Sequence, residues 1–99
     1  MAAFPLRAVY IKKERAQGEA PVQILVSVPK KRFKHAVDRN RVKRQVREAF
    51  RQHKQLLYEA LTEHEQLLLA FIWLSDEHRP SRDVESRVVG LMQRVAEKL

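Results

Sequence analysis

Leu67 to Leu74 reads LLLAFIWL, eight apolar residues without a break. A run that is apolar on both faces needs cover on both sides, so the fold must be organised around it. Its length and aromatic content favour a buried central strand over a helix, although hydrophobic periodicity alone does not separate the two. No apolar run in the chain is longer, and this one falls far short of the ~18–20 residues of a membrane span. The start of the chain lacks the basic-then-apolar pattern of an export signal. With 99 residues there is room for a single domain, 1–99, which buries only ~60–70% of its extended-chain surface. There is no cysteine, so disulfides, zinc fingers, thiol nucleophiles and redox motifs drop out. The same absence fits a reducing cytoplasm.

On either side of the run the residues follow strand or helix periods. Phe4 to Ile11 alternates as a strand, with Leu6, Ala8 and Tyr10 on one face and Arg7, Val9 and Ile11 on the other. Lys12 to Pro21 is polar, holds Gly18 and ends in proline, which reads as a hairpin loop. Val22 to Val28 is the next strand. Val22, Ile24, Val26 and Val28 make a core face, and Gln23, Leu25 and Ser27 a mixed face available for other work. Pro29 to Val37 is a basic connector, closed by Asp38 as a helix N-cap. From Arg39 the period is helical: Val46, Ala49, Phe50 and Ala60 lie within about 80° of Val42. No Pro or Gly interrupts Arg39 to Glu65, which predicts one helix over about 39–64, or two with a break near His53–Lys54. After the strand at about 67–74, Ser75 to Pro80 is a charged turn and Ser81 caps a last helix at about 82–98. Val84, Val88, Leu91 and Val95 form its core stripe. Gly90 costs that helix up to ~1 kcal/mol relative to Ala, which points to close packing there. The predicted class is α+β, a single-domain α/β sandwich with a small sheet, a basic crossover helix and a C-terminal helix.

The formal net charge is +8, and its placement is uneven. Between Lys30 and Lys54 stand eleven Lys/Arg and only Asp38 and Glu48, while the rest of the chain is close to neutral. Such focusing is the footprint of a polyanion-binding site. On the helical wheel, Lys43, Lys54, Arg47, Asn40, Arg51 and Arg44 fall in one stripe beside the apolar face, about 20 Å long and able to follow several phosphates. Lys30, Lys31, Arg32 and Lys34 extend it through the connector. Arginine predominates on the helix, which suits bidentate phosphate contacts. Arg39, Asn40 and Arg41 stand at its positively polarised N-terminus.

The run Ala36-Val37-Asp38-Arg39-Asn40-Arg41-Val42-Lys43-Arg44-Gln45-Val46-Arg47-Glu48-Ala49-Phe50-Arg51 closely resembles the signature helix of the bacterial ribonuclease P protein subunit family, and the order of elements agrees along essentially the whole chain. The resemblance implies a left-handed strand–helix–strand crossover, against the usual rule. It implies a role beside a catalytic RNA that cleaves precursor tRNA with bound Mg2+, the protein holding the 5′ leader and the RNA fold. By position it implies RNA contacts from Arg39, Asn40, Arg41, Lys43, Arg44, Arg47 and Arg51, with Lys31 and Arg32 in the connector; Lys34 joins them on charge alone. Lys34 stands where the family usually has Gly, and Lys30 where it usually has Ser. The family's N-terminal helix, which lines the leader cleft with aromatics, has no counterpart ahead of the first strand, since Met1-Ala2-Ala3-Phe4 leads straight into it. An under-buried apolar strip near Phe4, Leu6, Ala8 and Tyr10 is then expected, with self-association through that sheet face or a weakened leader contact.

Other signals point to no chemistry on the protein itself. His35, His53, His64 and His78 have no ligand spacing, and Leu68 occupies the place where a His64-Glu65 zinc motif would need its second histidine. His35, inside the basic patch, is the one that could meet a phosphate. Glu63/Glu65 and Asp76/Glu77 read as solvated carboxylates, and Gly18 and Gly90 build no phosphate-cradling loop. Phe71 and Trp73 read as core, whereas Tyr10, Phe33 and Ser27 are the candidate leader contacts. No catalytic residue, no metal site and no protein-bound cofactor is expected; the partners expected are ribonuclease P RNA and precursor tRNA, and no membrane. Composition alone also admits a ribosomal protein or RNA chaperone. A DNA-binding regulator is disfavoured because no short helix and turn precede the basic helix.

Overall fold

The computed structural model describes residues 1–99. The apolar run forms β4 (Glu65–Trp73), and it takes an inner position in a four-stranded sheet of order β1-β2-β4-β3. On one side β2 (Leu6–Glu14) pairs with it antiparallel, from Leu6 opposite Trp73 to Glu14 opposite Glu65. On the other side β3 (Val22–Ser27) pairs parallel, from Val22 opposite Leu67 to Ser27 opposite Ile72. A two-residue β1 (Ala2–Ala3) edges β2. The loop from residue 15 to 21 is therefore not a hairpin: β2 and β3 never pair, because the strand with two apolar faces comes between them. Gly18 turns that loop with a φ of 84°, a conformation that favours glycine.

Helices cover one face of the sheet only. Leu67, Leu69, Phe71 and Trp73 of β4 join Leu6, Ala8, Val22 and Val26 in the core. They meet Val42, Val46 and Ala49 of α1 (Ala36–His53), Leu57 of α2 (Gln55–Tyr58), and Val84, Val88, Leu91, Met92 and Val95 of α3 (Ser81–Lys98). Val46, Phe71 and Trp73 are fully buried. The layers make the predicted α+β sandwich. No helix is long and apolar enough to cross a membrane.

Cover on both faces of β4 is not what the structure provides. Leu68, Ala70 and Ile72 are half-exposed on the far face. Their cover comes from the strands beside them: Val9 and Leu25 flank Ala70, and Ile11 flanks Leu68. The predicted under-buried strip is thus on the wrong face. Leu6 and Ala8 are buried and Tyr10 half-buried against the core, whereas Val9, Ile11 and Leu25 are exposed, the last two by more than 60%. Of the predicted strip only Phe4 is exposed, with the Arg79 guanidinium over its ring at 5.4 Å.

Helix boundaries differ from expectation for tertiary reasons. α1 starts three residues early, after an extended His35, and Asp38 lies in its first turn, where it meets His78 instead of capping. The interruption at Lys54 is the break expected near His53–Lys54, but the helical phase ends at Tyr58, short of the expected 64, so Ala60 falls in a turn. Arg15 gathers this turn from afar, donating from its side chain to the carbonyls of Thr62 (3.0 Å) and Glu65 (2.7 Å) and from its backbone to that of His64 (2.8 Å). At the other helix, Pro80 precedes the first turn and Ser81 is already helical, its hydroxyl accepting from Gln45 at 3.1 Å rather than capping. Gly90 packs against nothing: a Cβ built there meets no atom within 4 Å. The close approach expected at that position does not exist.

Candidate nucleic-acid interface

The apolar stripe Val42, Val46, Ala49 anchors α1 on the core, which fixes where its other residues point. Asn40, Arg41, Arg44, Arg47 and Arg51 are all exposed. A shallow groove of about 420 Å³ is lined by Asn40, Arg44, Arg47, Glu48 and Arg51, and a second of about 350 Å³ by Val37, Asn40, Arg41 and Arg44. Asn40 and Arg44 belong to both, so the two form one continuous cationic surface on the helix. Guanidinium groups at this spacing can donate paired hydrogen bonds to successive phosphates.

Not every residue of the predicted stripe reaches it. Lys43 is half-buried, and Lys54 sits at the break after α1 with its Nζ 5.8 Å from the centre of the Tyr58 ring. Arg39 turns inward, its Nη1 donating to the carbonyls of Phe33 (2.9 Å) and Lys34 (2.8 Å). Arg51 is exposed but engaged: its Nε donates to Glu48 Oε2 at 3.0 Å. That hydrogen bond holds the Glu48 carboxyl below its usual range, and the same contact raises Arg51. The one acid on the surface therefore ties up one of its cations.

In the connector, Lys30, Lys31 and Lys34 are exposed, as is His35. Arg32 is half-buried and pairs with Asp76 at 3.3 Å. Phe33 stacks on His78, ring centres 4.5 Å apart and planes 13° from parallel. Of the candidate leader contacts, Tyr10 and Phe33 are thus packed within the protein, and Ser27 lies on the open sheet face, half-buried beside Ile72. The face that strand alternation marked as available is open, and it forms an apolar depression of about 330 Å³, in which Val9, Ile11, Leu25 and Leu68 alternate with the core residues of the same strands. Two contacts have no local signal in the sequence. Gln45 bridges α1 to the start of α3, donating to the carbonyl of Arg79 at 2.9 Å. His78 touches both α1 and the connector.

The chain is a small α+β sandwich with one open sheet face and one arginine-rich helix face, whose charge suits a polyanion. Comparison with known proteins narrows the class. The Ribonuclease P family model matches residues 3–95. The chain is 45% identical to the "Ribonuclease P protein component" of two strains of Porphyromonas gingivalis, over 94 and 97 residues, in each case 94% of this chain and 68% of that protein. It is 46% identical to the protein of the same name from Chlorobaculum tepidum over 59 residues, 54% of this chain and 38% of that one. No solved structure matches it significantly. The chain belongs to the ribonuclease P protein family.

Proposed function

We propose that this chain is the protein subunit of a ribonuclease P ribonucleoprotein, acting in maturation of the 5′ end of tRNA in the cytoplasm. The observation that carries the reading is the exposed surface of Asn40, Arg41, Arg44, Arg47 and Arg51, continuous over α1 and supported from beneath by a buried apolar stripe. In this reading the surface grips the phosphates of the ribonuclease P RNA, and Lys30, Lys31 and Lys34 add contacts at the N-terminal end of the helix. Each phosphate neutralised releases counterions, so affinity is salt-dependent. The cations also screen phosphate repulsion within the RNA, which lowers the Mg2+ needed for its active fold. Cleavage chemistry and Mg2+ are assigned to the RNA subunit.

The 5′ leader of precursor tRNA is assigned to the open sheet face. Unstacked bases cover apolar surface there, against Val9, Ile11, Leu25 and Leu68, while Arg7 and Ser27, paired across Ile72, offer polar contacts at one end. β3 runs from that end directly into the connector, so leader and RNA contacts adjoin. Self-association would occupy the same apolar face and compete with the leader.

Replacing Arg44 and Arg47 together with Gln tests the assignment. Affinity for the RNA should fall and the slope of log K against log[salt] should shrink by roughly 1.4–1.8, about 0.7–0.9 per lost phosphate contact. Helicity should be unchanged, because both side chains are exposed. An unchanged slope in a folded variant means that the stripe faces only solvent.

A further inference from the structure

We infer that His78 is a positioning residue that locks the basic connector onto the N-terminal end of α1, so that both bind RNA as one preformed surface. This rests on the reading of α1 as an RNA-binding surface.

Residues 28–35 have no regular secondary structure. Side-chain contacts, local and long-range, hold the connector instead. His78 Nε2 lies 3.0 Å from Asp38 Oδ1, and the same ring stacks on Phe33. Arg32 pairs with Asp76 from the loop that carries His78, and Arg39 donates to the carbonyls of Phe33 and Lys34. Arg39 ties helix to connector directly, and His78 clamps the two from a third segment, with Asp38 on the helix and Phe33 in the connector. Its own loop is pinned on either side: Ser75 is buried and its hydroxyl accepts from the backbone N–H of Glu77 (3.0 Å), and Gln45 of α1 donates to the Arg79 carbonyl. Both carboxylates near the connector, Asp38 and Asp76, are thus spent on anchoring.

The consequence is preorganisation. A basic segment held open by its own repulsion would be ordered only when RNA arrives, and that entropy would be subtracted from affinity. With the latch closed, the ordering cost is met during folding. Lys31 and Lys34 then present their charges at a fixed distance from Arg41 and Arg44.

A double-mutant cycle tests this with the full chain and a ribonuclease P RNA transcript. At 0.15 M salt, Lys31→Gln with Lys34→Gln should weaken binding roughly twentyfold in the native background, about fivefold per phosphate contact. In a His78→Ala background the same pair should cost less than about threefold, while Arg44→Gln should cost the same factor in both. An undiminished effect of the lysine pair in His78→Ala overturns the latch. If His78→Ala does not fold, His78→Phe keeps a ring against Phe33 and loses the bond to Asp38. A diminished lysine effect in that background supports the latch, and an undiminished one overturns it. Backbone NMR order parameters of the free protein decide the matter without RNA. Order across Lys31–His35 should fall in His78→Ala and stay unchanged through α1; unaltered order in the connector overturns the latch even where Arg44→Gln has shown that α1 is an RNA-binding surface. If Arg44→Gln changes nothing, the RNA reading of α1 fails, and the order parameters still decide the latch.

Discussion

Lys12 reaches from β2 to Glu65 at the start of β4, Nζ to Oε2 2.9 Å, although the residue directly opposite it is Leu67. The contact is diagonal across the strand pair, on the face that carries the helices. Glu65 also accepts the backbone N–H of Thr62 at 3.0 Å. A carboxylate that reads as solvated in the sequence thus closes the turn between the helical segment and the central strand.

That role gives a pH dependence. The Thr62 backbone hydrogen bond, and after it the Lys12 contact, hold the Glu65 carboxyl below its usual value. A carboxylate depressed in the folded state adds stability above its unfolded pKa, and the gain is lost as pH falls through the folded pKa. Urea midpoints of the native protein and Glu65→Gln should therefore differ at pH 7, and the gap should narrow as pH falls below the ordinary glutamate range toward the lower folded value. A gap that stays constant down to pH 3 contradicts the assignment.

Glu48 restrains the surface it sits on. With its carboxylate gone, Arg51 is released toward solvent and phosphate. Glu48→Gln should tighten RNA binding by roughly two- to fivefold at 0.15 M salt and steepen the salt slope by up to about 0.9, one additional contact. Weaker binding by this variant would show that the Glu48–Arg51 pair positions the arginine instead of sequestering it.

Gly90 lies in a regular helix with open space where a side chain would go. Gly90→Ala should stabilise the domain by about 0.4–1 kcal/mol, read from thermal or urea denaturation. A loss of stability would require a neighbour that a Cβ disturbs.

How far the sequence speaks depends on whether the signal is local. Two apolar faces are enough to place the run from Leu67 in the middle of the sheet, and the Val42–Val46–Ala49 spacing is enough to orient α1. Partner choice was not local: nothing between Lys12 and Pro21 says that β4 will come between β2 and β3. Nor does the apolar run itself say that one of its faces will stay uncovered by helices. Asp38 and Ser81 have the chemistry of caps, yet tertiary partners, His78 and Gln45, took their polar atoms. At the candidate interface, exposure at Asn40, Arg41, Arg44 and Arg47 follows from helical phase. The inward turn of Arg39, the stacking of Phe33 and the pairing of Arg51 depend on neighbours that only the folded chain brings close.

The central claim is tested most directly by reconstitution. The protein is mixed with its cognate ribonuclease P RNA, and cleavage of a precursor tRNA is followed as Mg2+ is lowered, beside RNA alone and protein alone. The mixture should cleave correctly at the 5′ end at Mg2+ concentrations where RNA alone is inactive, the protein alone should not cleave, and Arg44→Gln with Arg47→Gln should lose the low-Mg2+ activity. Cleavage by protein free of RNA, or a Mg2+ requirement that the protein leaves unchanged, would contradict the claim.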